Sequence, residues 1–162
     1  MNTLDFAIKM EQDGENYYRE QAELNKENSL NEVCLLLAEE EKGHAKLLLD
    51  LQDKKTYTLK NSDLLTNTKN IFANAEKMDI EWKKIPSQLD FYRIGSKMEK
   101  ESIELYQKFL EEASTEEEKE LFRFLIDQEE KHFETLEELD RLLTNAEEWI
   151  ESPEFGRRRE EY

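Results

Sequence analysis

Shifted by 88 residues, the chain falls on itself without a gap. "KMEQDGENYY" at Lys9 lands on "KMEKESIELY" at Lys97, Tyr18 on Tyr106, Glu41 on Glu129 and His44 on His132. Glu is common here, 31 of 162 residues, so Glu on Glu alone could be chance. Chance does not readily align both histidines of the chain and two Lys-Met-Glu triplets as well. A unit of this kind that cannot bury its apolar face alone must stack on its copy. The repeat therefore restricts the fold to two similar units packed against each other.

Each unit reads as a helical hairpin. The first helix runs from about Leu4 to Lys26 with Thr3 as N-cap, and the second from about Leu30 to Asp53. Ser29 and Glu32 have the spacing of a capping box, in which two side chains satisfy free backbone N–H groups. The third helix starts with Ser87 as N-cap and ends near Ala113. The fourth opens at Ser114 or Thr115, with three glutamates in its first turn where the helix dipole favours them, and continues to about Asn145. Between the hairpins, residues 54–86 carry seven lysines against four acids, and part of this segment, around Leu64 to Trp82, reads as helix. It is too long for a turn and suits a crossover from one end of a bundle to the other. The expected fold is all-α, a four-helix bundle over residues 1–146, with 147–162 as a C-terminal tail that is mobile or contacts another subunit.

Residues three, four and seven apart share a helix face. On the second helix the face reads Cys34, Leu37, Ala38, Glu41, His44, Ala45, Leu48, Leu51. On the fourth it reads Phe122, Leu125, Ile126, Glu129, His132, Phe133, Leu136, Leu139. One Glu and one His interrupt each apolar stripe. In the first helix Glu11 sits among Leu4, Ala7, Ile8, Gly14 and Tyr18; in the third, Glu99 sits among Tyr92, Gly95, Ser96, Ser102, Ile103 and Tyr106. The small neighbours leave room beside a carboxylate, and a Tyr hydroxyl on the same face can hydrogen-bond it or simply pack. A bundle closed on these stripes buries four carboxylates and two imidazoles. Buried carboxylates repel one another and must protonate, pair or bind metal. No Lys or Arg lies on the stripes, although Lys97 and Lys100 are close. Carboxylate oxygen with neutral imidazole suits iron, manganese or zinc. Six protein ligands suit two ions, with Glu41 and Glu129 bridging, Glu11 and Glu99 terminal, and one of His44 and His132 on each ion.

Composition removes other classes of function. The net charge of −17 disfavours nucleic acid and anionic membrane as partners. Cys34 is the one cysteine, which excludes an intrachain disulfide or a Cys-x-x-Cys metal site, and it reads as a small buried apolar residue. The opening "MNTLDFAIKM" lacks the charge and apolar pattern of a secretion signal. No apolar run approaches the ~20 residues that span a bilayer. A cytoplasmic location is the expectation.

With these residues in view, "KMEQDGENYY…EEEKGH" and "KMEKESIELY…QEEKHF" resemble the ferritin-like di-iron carboxylate superfamily, and within it the rubrerythrin family. The resemblance covers about Leu4 to Asn145 and leaves "WIESPEFGRRREEY" unexplained. It implies Glu11, Glu41, His44, Glu99, Glu129 and His132 as ligands of two iron ions, and Tyr18 and Tyr106 as hydrogen-bond partners of those ligands. It implies two-electron reduction of hydrogen peroxide or O₂, in protection against oxidative stress. Two features depart from the family pattern. Full-length rubrerythrins carry a four-cysteine, rubredoxin-like domain that supplies electrons; with one cysteine, this chain would need a separate donor protein of that kind. The family also offers a further Glu where this chain has Ser102, and the remaining six-ligand set is the one seen in bacterioferritin-like sites.

The resulting expectation is a stand-alone peroxide- or O₂-reducing di-iron oxidoreductase. Its alternatives are a ferroxidase or iron-handling protein, a di-manganese catalase-like enzyme, and a non-enzymatic metal-binding helical module. A homodimer, with hairpins swapped or not, is compatible with the sequence. The basic segment Lys54–Lys84 reads as a solvated linker, with docking of an acidic electron carrier as the alternative.

Overall fold

The computed structural model describes residues 2–74 and 85–151. Among them lie five helices and no strand: α1 Thr3–Leu24, α2 Leu30–Gln52, α3 Leu64–Asn74, α4 Ile85–Glu112 and α5 Glu116–Glu151. The closest packing runs within each hairpin, α1 on α2 and α4 on α5, with fewer contacts between the hairpins. The all-α fold and its helical-bundle packing are those expected from the repeat. The short α3 lies in the connection and packs on α5 and α2. The expected helix in this segment is thus seen from Leu64 to Asn74. Its continuation to Trp82 falls outside the described residues.

Several helix ends differ from the sequence reading. Asn2, not Thr3, caps α1: its side-chain oxygen accepts from the Asp5 backbone N–H at 2.8 Å. Asn places an acceptor there as well as Thr does, so residue type alone does not set the register. The Ser29–Glu32 capping box does not form. Ser29 has helical backbone angles and makes no side-chain cap bond, while Asn28 Oδ1 accepts from Leu30 N at 2.9 Å. The turn between α1 and α2 is held by amides instead, with Asn28 Nδ2 donating to Asn25 Oδ1 at 3.0 Å. Ser87 lies inside α4, which already begins at Ile85; Pro86 fits a first helical turn, where its missing N–H costs nothing. Thr115 does cap α5, accepting from Glu118 N at 3.1 Å. That helix runs on to Glu151 through "NAEEWIE", which contains no helix breaker; Pro153 follows. The tail from residue 152 lies outside the described residues.

The far end of α2 is closed by two backbone bonds, Lys55 N to Asp50 O at 2.8 Å and Lys54 N to Leu51 O at 3.2 Å. Lys54 occupies the left-handed region (φ 57°) that such a stop requires and that glycine fills more cheaply.

The core is in two parts. One contains Tyr18, Leu30, Leu37, Phe91 and Leu136; the other contains Ile8, Leu48, Tyr106, Phe122 and Leu125. Cys34 belongs to the first part and is fully buried, which pushes its thiol up to about 12 and makes it a packing residue rather than a thiolate. The buried polar residues Glu11, Glu41, His44, Glu99, Glu129 and His132 belong to neither apolar cluster. Among the described residues no helix is long and apolar enough to cross a membrane.

Candidate metal centre

All six of these side chains are at most 5% exposed. Glu11 comes from α1, Glu41 and His44 from α2, Glu99 from α4, and Glu129 and His132 from α5. Their donor atoms gather into two groups, Glu11–Glu41–His44–Glu129 and Glu41–Glu99–Glu129–His132, each with its ligating atoms within 4.8 Å of one another. Glu41 and Glu129 belong to both groups. His44 Nδ1 lies 3.0 Å from Glu129 Oε1 and 3.4 Å from Glu11 Oε2. His132 Nδ1 lies 3.0 Å from Glu41 Oε1 and 3.3 Å from Glu99 Oε1. The two rings are stacked, with centroids 5.4 Å apart and planes 16° from parallel.

The tyrosines pair crosswise rather than on their own helices. Tyr18 of α1 donates to Glu99 Oε1 of α4 at 2.5 Å, and Tyr106 of α4 donates to Glu11 Oε1 of α1. Burial and the neighbouring carboxylates hold both phenols far above their ordinary range, so they remain donors. Sequence reasoning set each tyrosine beside the carboxylate of its own helix. Seven residues along a helix brings two side chains to one face, but the hydroxyl of so long a side chain reaches the neighbouring helix.

Glu40 lies beside the apolar stripe of α2 rather than on it, yet its side chain reaches the centre. Glu40 Oε1 accepts from His132 Nε2 at 2.8 Å, and its other oxygen accepts from Ser62 Oγ in the α2–α3 connection. The available signal was its place one turn before His44, matched in the repeat by another polar residue, Gln128, one turn before His132.

The electrostatics of the cluster are those of too many carboxylates. Burial and the charges of neighbouring carboxylates push Glu41 and Glu129 well above the ordinary range. Burial would raise Glu11 and Glu99 too, but hydrogen bonds from neighbouring carboxyls and the adjacent imidazoles hold them down. Without metal, Glu41 and Glu129 therefore hold their protons more tightly than Glu11 and Glu99. Burial opposes the charged form of His132, yet the surrounding carboxylates outweigh it and raise it well above its ordinary value; His44 is raised in the same way.

These shifts fix the pH dependence of the metal-free protein. Glu41, Glu129, His44 and His132 hold protons more tightly folded than unfolded. Their contribution is complete below the unfolded values of 4.5 and 6.5 and is lost as pH rises above them. Glu11 and Glu99 act oppositely, losing their contribution as pH falls below 4.5. The Tm of chelator-treated protein is expected to be highest in mildly acidic buffer and to fall from about pH 5 to pH 9. A Tm that rises across that range would contradict the proton count.

The donor set fits divalent cations. Glu11 Oε2, Glu99 Oε2 and Glu129 Oε2 are buried without a hydrogen-bond partner, a cost that a bound cation removes. Among the described residues no Lys or Arg pairs with the four carboxylates; Lys97, close in sequence, faces Glu101 at the surface. A groove of about 810 Å³ reaches the cluster between α1 and α4, lined among others by Met10, Gly14, Glu41, Met98, Glu99 and Ser102. A second, of about 650 Å³, reaches it beneath the α2–α3 connection, past Glu40, His44 and Gln128.

Gly14 shapes the first opening. A Cβ there would lie 3.2 Å from Glu41 Oε2 and 3.4 Å from its carboxyl carbon. Gly14→Ala is expected to stabilise the metal-free protein by up to about 1 kcal/mol through helix propensity, and to weaken metal binding by displacing Glu41. Thermal melts with and without metal should therefore move in opposite directions; a parallel shift would show that the glycine is not holding space for the carboxylate.

A family model described as Rubrerythrin matches residues 2–140. Comparison with curated proteins and with solved structures gives no match. Because the family match runs through both hairpins and takes in every residue of the buried cluster, this chain belongs to the rubrerythrin family, a ferritin-like di-iron family.

Proposed function

We propose that the buried cluster holds two iron ions and that the protein reduces hydrogen peroxide, or O₂, with electrons from a separate donor protein. The observation that carries this reading is the pair of four-donor groups sharing Glu41 and Glu129, with no Lys or Arg counter-ion to them among the described residues. Glu11, Glu41, Glu129 and His44 would hold one ion, and Glu41, Glu99, Glu129 and His132 the other. When bound, the ferrous pair supplies the two electrons that, with two protons, convert hydrogen peroxide to two waters.

The chain's own residues prepare that chemistry. Tyr18 and Tyr106 tie down Glu99 and Glu11, so the terminal carboxylates keep their orientation. The apolar clusters on either side exclude bulk water. The groove between α1 and α4 admits a small oxidant to Glu41 and Glu99. Ser102 on that groove supports a second reading, ferroxidase activity, because its hydroxyl turns to Met10 Sδ at 3.6 Å and it brings no further carboxylate to the ions.

The test is metal analysis of protein purified with and without air, followed by absorption spectra as peroxide or O₂ is added to the ferrous form. Two irons per chain and oxidation by peroxide faster than by O₂ are expected. Faster reaction with O₂ and release of Fe(III) would select the ferroxidase. Two manganese ions with oxygen evolved from peroxide would select a catalase. A folded protein that binds no metal would remove the proposal.

A further inference from the structure

The two halves of the centre come from duplicated hairpins, yet one pair of equivalent positions carries different chemistry. Glu40 stands one turn before His44; Gln128, 88 residues on, stands one turn before His132. Glu40 reaches across the bundle to His132 Nε2 at 2.8 Å and is itself anchored by Ser62. The second ring nitrogen of His44 has no hydrogen-bond partner among the described residues. Gln128 lines the same cavity as His44, but it is a neutral amide whose nitrogen lies 3.3 Å from Asp127 Oδ2.

This difference acts on the donor atoms. A carboxylate that accepts from one ring nitrogen fixes the tautomer, orients the ring and makes the opposite nitrogen a stronger ligand. For His132 that opposite atom is Nδ1, already facing Glu41 Oε1, Glu99 Oε1 and Glu129 Oε2 at 3.0, 3.3 and 3.5 Å. His44 Nδ1 faces Glu129 and Glu11; Glu40 comes within 4.8 Å of a His44 ring nitrogen too, but its hydrogen bond goes to His132. The His132 ring is held by a carboxylate before a cation arrives, whereas the His44 ring must be oriented by the cation itself.

We propose that Glu40 is a positioning residue that makes the two half-sites unequal: the half built on Glu41, Glu99, Glu129 and His132 fills first, and the half built on Glu11, Glu41, Glu129 and His44 fills second. The inference rests on the reading that these six residues hold two cations, and adds an order to it.

Zn(II), a redox-silent probe, tests the order on the full chain after chelation. The chain has two histidines, so ¹⁵N-histidine labelling gives one set of ring signals for each. At one equivalent of Zn(II), His132 Nδ1 should move to a metal-bound shift while His44 remains free. Calorimetry should show two steps. Glu40→Gln should weaken the tighter step by about ten- to a hundredfold, and Gln128→Glu should tighten the weaker one. Simultaneous loss of both free histidine signals, or His44 moving first, would overturn the proposal. So would a tighter step unchanged within about twofold in Glu40→Gln. Should Glu40→Gln fail to fold, the wild-type spectra and Gln128→Glu decide alone. Absence of any Zn(II) binding would instead remove the two-cation reading itself.

Discussion

Anaerobic addition of ferrous iron to the metal-free protein is expected to raise its Tm by about 8–16 °C per filled site. A ligand present at a thousand times its dissociation constant stabilises by about 4.1 kcal/mol. In a chain of this size, each kcal/mol moves Tm by about 2–4 °C. The source of that energy is visible in the core. Three buried carboxylate oxygens lack hydrogen-bond partners, and burial beside other carboxylates keeps Glu41 and Glu129 protonated well above the ordinary range. Cations replace those protons and satisfy those oxygens. The metal-free protein still folds in this account, because the apolar clusters and the two Tyr–Glu bonds do not depend on metal. Since ligation requires deprotonated donors, the rise should be larger at pH 8 than at pH 6, opposite to the trend of the metal-free protein. Differential scanning calorimetry checks both. A shift below about 2 °C with iron in excess would show that the cluster does not bind it with useful affinity.

The second large effect is expected from Glu129→Leu. Glu129 is fully buried and belongs to both donor groups. If the proposed centre is correct, its loss should reduce bound metal from two ions to one or none and bring the proposed peroxide reduction to background. The metal-free protein should respond differently, ranging from unchanged to about 2 kcal/mol more stable. Removing one partner of a buried ion pair is ordinarily costly, but exchanging a surplus buried carboxyl, already held protonated by its neighbours, for an apolar group of similar volume is not. Here carboxylates outnumber imidazoles. His44 keeps Glu11 at 3.4 Å, and His132 keeps Glu40, Glu41 and Glu99. Glu130→Leu, next in sequence but exposed, is the control and should leave metal content unchanged. Retention of two ions by Glu129→Leu would refute the bridging role. A metal-free protein several kcal/mol less stable would show that Glu129 is a structural partner rather than a surplus carboxyl.

The six residues of the buried cluster were legible because a helix carries its own register. Glu41 and His44 share a face with Leu37 and Leu48 whatever the rest of the chain does, and burying that face buries them. The 88-residue repeat then required the same of Glu129 and His132. Two short-range details were not legible. Asn, Ser and Thr cap helices about equally well, so the choice of Asn2 over Thr3 and of Asn28 over Ser29 depended on how each turn closed.

Partnership across helices belonged to the tertiary structure alone. That Tyr18 binds Glu99 rather than Glu11, that Tyr106 does the reverse, and that Glu40 reaches His132 rather than serving its own helix, depend on how α1, α2, α4 and α5 are rotated and crossed. Those rotations are set by packing between residues some 80–95 positions apart. The 3.6-residue period fixes which face a side chain occupies, because it is set by local backbone geometry and hydrogen bonding; it says nothing about which neighbour that face will meet.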